Sequence, residues 1–171
     1  VVDKSTKLET IFDRIHLIDT RFEVLKRDAE ISMLQALLQE GGNPDEMQRK
    51  RAGFELQVKQ LDADREFLRH CNIGSEKMDA AEQERVQRIA AYTWRNEAGE
   101  VSNFLNQDEL ENLNIRAGTL TDTERQIINH HIDVTIKMLE SLPWPRHLRK
   151  VPEYAGGHHE RMDGTGYPRG L

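Results

Sequence analysis

The 171-residue chain has a formal net charge of −6, about a third of its residues are charged, and it contains one cysteine. That balance excludes general DNA or RNA binding, which needs clustered Lys and Arg against phosphate, and Cys71 alone cannot form an internal disulfide. No apolar run reaches the length a bilayer requires and no secretion signal opens the chain, so a cytoplasmic segment is expected. Val1-Val2 in place of an initiator methionine, and a turn sequence at the other end, lead us to expect part of something larger.

From Leu8 the apolar residues Leu8, Ile11, Ile15, Ile18, Phe22, Leu25 and Ala29 alternate steps of three and four, the seam of a coiled-coil-like helix. This spacing predicts a helix from about Thr6 to Gln39. The stretch "EGGNPDE" then provides glycines to stop it, an asparagine for the loop and a proline to start the next helix. A second stripe, Met47, Phe54, Val58, Leu61 and Leu68, ends near "HCNIGSE". Together they predict a long antiparallel hairpin from about Thr6 to His70, suited to packing or dimerisation.

Asp79 to Trp94 reads as a third helix with Val86, Ile89 and Ala90 inward. The following "RNEAGEVSNFLNQDELENLNIRAG" reads mostly as connection with one short helical turn. In "GTLTDTERQIINHHIDVTIKML", Thr121 with Glu124 three residues later is the pattern of a capping box. On the helix it opens, Ile127, His131, Val134 and Met138 share one face, beside Ile128, Ile132, Thr135 and Leu139. Gln126, His130, Asp133 and Lys137 lie opposite. His131 is therefore expected inward and buried, and His130 outward. Pro143 and Pro145 bar the helix from continuing. The fold class expected is all-α.

His158 and His159 follow a return across "LPWPRHL" that would bring them back against His131. Three imidazoles in one pocket point to a metal site, since neutral imidazole is a common ligand for divalent ions. A zinc protease is excluded, because no second histidine stands one helical turn beyond His159-Glu160. Asp163 would orient an imidazole from behind, Gly164 and Gly166 permit unusual backbone angles, and Tyr167 offers an aromatic face and a hydroxyl.

"HHERMDGTGYP" fills the pattern HHExxDGxGYP and resembles the signature of HD-GYP phosphodiesterases. "GTLTDTERQIINHH" resembles that family's segment leading to a helix with a ligand histidine, with His131 at the matching spacing. The likeness covers residues 118–171. "VVDKSTKLET" is similar to the stretch after the family's His-Asp dyad. Ile132 and Thr135 depart from its usual Pro and Gly, no His-Asp dipeptide occurs, and the aspartate expected after the GYP loop is not present.

The resemblance implies a partial HD-domain-like helical bundle, with residues 1–117 carrying the hairpin as an insertion and 118–171 the signature. It implies two or three divalent ions, iron or manganese, activating water against cyclic di-GMP or a related cyclic dinucleotide. The products would be linear pGpG or GMP, in bacterial second-messenger signalling. It makes His131, His158 and His159 metal ligands and sets Gly166 and Tyr167 beside the nucleotide. For Arg161 and Glu160 two readings stand side by side, a guanidinium meeting phosphate and a carboxylate holding a ligand in place, or simply two solvated helix-end charges; no residue is assigned a catalytic step. The competing expectation is a degenerate module that senses nucleotide or contacts a cyclase domain through the hairpin, which would also serve a homodimer.

Overall fold

Asp13 decides where the first helix begins. Its Oδ1 accepts a hydrogen bond from the Ile15 amide at 3.0 Å, and its two oxygens accept from Asn72 Nδ2 at 3.1 and 2.9 Å. In the computed structural model, which describes residues 4–39, 43–74, 77–96 and 98–170, α1 therefore spans Ile15–Gln39 rather than starting near Thr6. Residues 4–14 fold as turns, tied by the Glu9 carboxylate to the Ser5 amide at 2.6 Å. Leu8 is fully buried there while Ile11 is 98% exposed, so these two are not one helical stripe.

Helix α2 spans Pro44–Ile73, capped by the Asn43 side chain on the Asp45 amide and ended by Gly74 in the left-handed region at φ 68°. The expected turn glycines, Gly41 and Gly42, lie outside the described residues. Antiparallel pairing is written in three ion pairs, Asp19–Arg69 at 2.9 Å, Glu23–Arg65 at 2.8 Å and Lys26–Asp62 at 3.0 Å. As the number rises along α1 it falls equally along α2. Burial is concentrated at the base, at Ile15, Ile18 and Phe22 of α1 and Leu61, Leu68 and Cys71 of α2. Each such side chain contributes about 1.5–3 kcal/mol when fully removed from water.

Helix α3, Ala80–Ala90, opens on a capping box of Asp79 and Glu82 and buries Val86, Ile89 and Ala90. It stops four residues short of Trp94, because residues 93–95 leave it as a strand. That strand, β1 (Thr93–Arg95), pairs antiparallel with β2 (Val101–Asn103), a small hairpin where the sequence reading had only a connection. The two strands form the one sheet among the described residues, and the expected all-α class holds. The short helical turn is α4, Gln107–Leu113, capped by Asn106 and Glu109. Its end is held by Lys7, fully buried, whose Nζ donates to the carbonyls of Leu113 and Ile115 at 3.3 and 2.8 Å. The described residues up to Leu120 form one compact unit. Its buried acids are paired: Glu109 takes a bidentate Arg21, and Asp64 takes Arg85 and the Tyr92 hydroxyl. Pairing is what makes burial of a carboxylate tolerable.

A second unit begins at Thr121. Helix α5, Asp122–Glu140, starts on the expected Thr121–Glu124 capping box. A 3₁₀ turn at Arg146–Leu148 leads to α6, Val151–Gly156. Helix α6 packs on α5 closely at Gly156, where a Cβ would sit 3.1 Å from two Ile136 side-chain atoms, tighter than ordinary contact. Among the described residues no helix is long and apolar enough to cross a membrane.

Candidate metal centre

Ile132 is the fully buried residue of α5, with Ile128, Thr135, Ile136 and Leu139 partly covered around it. Of the two adjoining rows expected to face inward, only this one packs. Ile127, Val134 and Met138 are exposed at 60%, 53% and 58%. His131 sits at the margin between the rows, so it is solvent-accessible rather than buried. It is nevertheless turned toward the other two histidines. His130 points elsewhere and meets Asp133 at 3.2 Å.

One ring nitrogen from each of His131, His158 and His159 lies within 4.8 Å of the others. His131 Nδ1 bonds the Ile128 carbonyl one turn back along α5, and His158 Nδ1, in the turn that follows α6, bonds the Ala155 carbonyl three residues back. A carbonyl only accepts, so both rings carry a proton on Nδ1, and in the neutral imidazole that leaves the lone pair on Nε2. His159 Nε2 stands 3.2 Å from His131 Nε2. Two nitrogens bound side by side to one ion at about 2.1 Å stand about 3.0–3.4 Å apart, so the His131–His159 pair has the spacing of two ligands of a divalent cation. Burial first, and then the neighbouring imidazoles of His158 and His131, hold His159 below its ordinary pKa, which keeps it a lone-pair donor near neutrality.

The glycine-rich loop is folded against this cluster. A Cβ on Gly166 would stand 2.4 Å from the Glu160 Cα and the Arg161 nitrogen, so only glycine fits. Tyr167 donates its amide to the His159 carbonyl at 3.3 Å. Its ring stacks on the His159 imidazole at 4.6 Å and 12°. One aromatic face expected to meet a ligand is thus occupied by a histidine. Glu160 accepts from the Arg169 amide at 2.7 Å, closing the loop on itself. Asp163 Oδ1 accepts from the Thr165 amide at 3.0 Å and from the Thr165 hydroxyl at 2.6 Å. Those bonds, its hydroxyl contact foremost, hold the Asp163 carboxyl below the usual range. The orienting role expected of Asp163 is filled for two of the rings by backbone carbonyls, which no residue pattern announces. Gly164, with φ 71°, makes the turn, and Arg161 is exposed.

Residues 107–171 match the HD domain family. Over 57 residues the chain is 40% identical to the cyclic di-GMP phosphodiesterase of Thermotoga maritima, an overlap that takes 33% of this chain and 15% of that protein. No solved structure matches.

Proposed function

We infer, from the match of residues 107–171 to the HD domain family, that this protein forms part of a metal-dependent phosphodiesterase acting on cyclic di-GMP or a related cyclic dinucleotide. The observation that carries the reading is the convergence of three imidazole nitrogens within 4.8 Å. The 40% identical segment of a protein named for that activity supports it.

In this reading His131, His158 and His159 hold one divalent ion, iron or manganese, and a complete centre holds two or three. The bound ions supply Lewis acidity toward phosphate oxygens and lower the pKa of water. The chain's own residues prepare the place: the Ile128 and Ala155 carbonyls fix the imidazole tautomers, and Tyr167 steadies His159 while its hydroxyl remains for the nucleotide. Gly166 lets the loop lie close, and Arg161 offers a guanidinium to a phosphate. Glu160 and Asp163 hold the loop rather than the ion. We assign this work to the cytoplasm of a bacterial cell, with residues 1–117 as an insertion carrying the hairpin and 118–171 as the signature segment.

A second reading is a degenerate module that binds the nucleotide, or a cyclase domain, without hydrolysis. What favours it is that the cluster holds three imidazoles and no carboxylate among the described residues, whereas bridging carboxylates are what set paired metals about 3.5–4 Å apart. The test is anaerobic titration of Mn(II) or Fe(II) into the chain, followed by cyclic di-GMP binding. Metal uptake that His131→Ala abolishes supports the metal-site reading, and no uptake removes it. Nucleotide bound by a complete but inactive domain favours the sensor.

A further inference from the structure

Helix α1 carries two apolar seams on opposite sides. One, Ile15, Ile18, Phe22 and Leu25, faces α2 and the core. The other is Leu17, Val24, Ile31 and Leu38, spaced by seven residues, with Leu34 joining it in the distal half. Successive residues turn by about 100°, which sets this stripe roughly half a turn from Phe22. Seven-residue spacing drifts by only about 20° per heptad, so the stripe stays on one side. Apart from the half-buried Val24 it is uncovered: Leu17 is exposed at 47%, Ile31 at 51%, Leu34 at 47% and Leu38 at 84%.

We propose that this outer stripe of α1 packs against the same stripe of a second copy of the chain, antiparallel, with the two-fold axis beside Ala29. The metal-site reading and this one stand separately. Heptad spacing is the requirement of helix against helix, and charge selects both partner and direction. Arg27 interrupts the stripe between Val24 and Ile31, and Glu30 flanks it. Neither makes an ion pair among the described residues. In a parallel pair Arg27 would face Arg27, and Glu30 would lie beside Glu30. In the antiparallel pair each Arg27 lies opposite the partner copy's Ile31, within reach of its Glu30. Leu34 then meets Val24 and Leu38 meets Thr20, so the most exposed leucine is covered. The structure thus assigns to Arg27 and Glu30 a partner that the single chain lacks.

Sedimentation of the chain over a range of concentrations should show a monomer–dimer equilibrium. Leu38→Glu and Ile31→Glu should weaken it at least tenfold with helicity by circular dichroism unchanged. Arg27→Glu should weaken it and the swap Arg27→Glu/Glu30→Arg should restore it. Nitroxide labels at Gln39, on the flank of the contact about a quarter turn from the stripe, should stand about 30 Å apart along the axis, twice ten residues at 1.5 Å. A monomer at every concentration overturns the proposal, as does a dimer indifferent to Leu38→Glu. Labels about 10–15 Å apart would mean a parallel pair and overturn it too. Metal uptake measured on the same samples shows separately whether the histidine cluster has failed.

Discussion

The ring of Tyr167 lies flat on the imidazole of His159, 4.6 Å between centroids and 12° from parallel. An aromatic held this way restricts the rotation of the His159 imidazole. Tyr167→Leu should therefore weaken divalent-metal binding by about 10–100-fold, the range typical of residues that orient ligands. Tyr167→Phe keeps the stack and should bind metal as the wild type does while losing the hydroxyl. Calorimetric titration with Mn(II) decides it; equal loss in both variants would mean that the stack orients nothing.

Neighbouring histidines on α5 should part company. His131→Ala removes a nitrogen from the cluster and should abolish stoichiometric metal, whereas His130→Ala cuts only an exposed contact with Asp133. Metal content after dialysis measures the contrast. Comparable losses would show that α5 presents a different face to the site.

Two glycine replacements should move stability in opposite directions. Gly53 lies inside α2 with nothing within 4 Å of a built Cβ, so Gly53→Ala should stabilise by about 0.5–1 kcal/mol through helix propensity. At Gly166 the Cβ would meet backbone at 2.4 Å, which has nowhere to retreat. Gly166→Ala should displace the loop and cost about 1–3 kcal/mol if the loop stays packed, or metal affinity if it does not. Urea denaturation with and without Mn(II) separates the two.

Tyr92 donates its hydroxyl to Asp64 Oδ2 at 2.7 Å, and burial, with Asp64 adding to it, pushes its pKa up to about 12. An unfolded tyrosine ionises near about 10, so between roughly pH 10 and 12 the unfolded chain releases a proton that the folded one keeps. Stability should fall as pH rises through that window. In Tyr92→Phe this part of the fall should vanish, while stability at neutral pH drops by about 1.5–3 kcal/mol because Asp64 loses a donor. Denaturation of both proteins at pH 9 and pH 11.5 gives the difference; parallel curves would sink the claim.

Incubated with cyclic di-GMP and anaerobic Mn(II) or Fe(II), the 171-residue chain should yield no linear product, since its cluster offers no bridging carboxylate among the described residues. A domain complete with a His-Asp dyad and a downstream aspartate should turn over. Product from the chain alone would mean that its own acids complete the centre.

The Thr121 cap and the loop signature were legible because their physics is local: Thr121 satisfies the Glu124 amide three residues on. Asn43 and Asp79 cap their helices in the same way, though the sequence reading marks them only as a loop asparagine and a helix start. Convergence of His131, His158 and His159 was readable from the spacing of a helix and its return. Three features were not. Asp13 stops α1 from starting earlier by bonding Asn72, a residue 59 positions away, which no local pattern reports. Strands β1 and β2 are three residues each, too short for alternation to declare them. On α5, periodicity found the apolar rows but could not say which one would be covered. The choice falls to Ile132 and Ile136, the latter against Gly156, through packing.

The uneven burial along the hairpin has a consequence for how the protein breathes. Leu61, Leu68, Ile18 and Phe22 anchor the base, and Asp19–Arg69 to Lys26–Asp62 clasp the same half. Beyond Lys26 on α1, and before Leu61 on α2, no side chain among the described residues of either helix is fully buried. Backbone amides there should exchange with deuterium through small openings of the distal halves of α1 and α2, with protection climbing in steps toward the base, where only global unfolding exposes them. A protease should accordingly make its first cut within the distal turns and leave the base helices as a trimmed, still folded remnant.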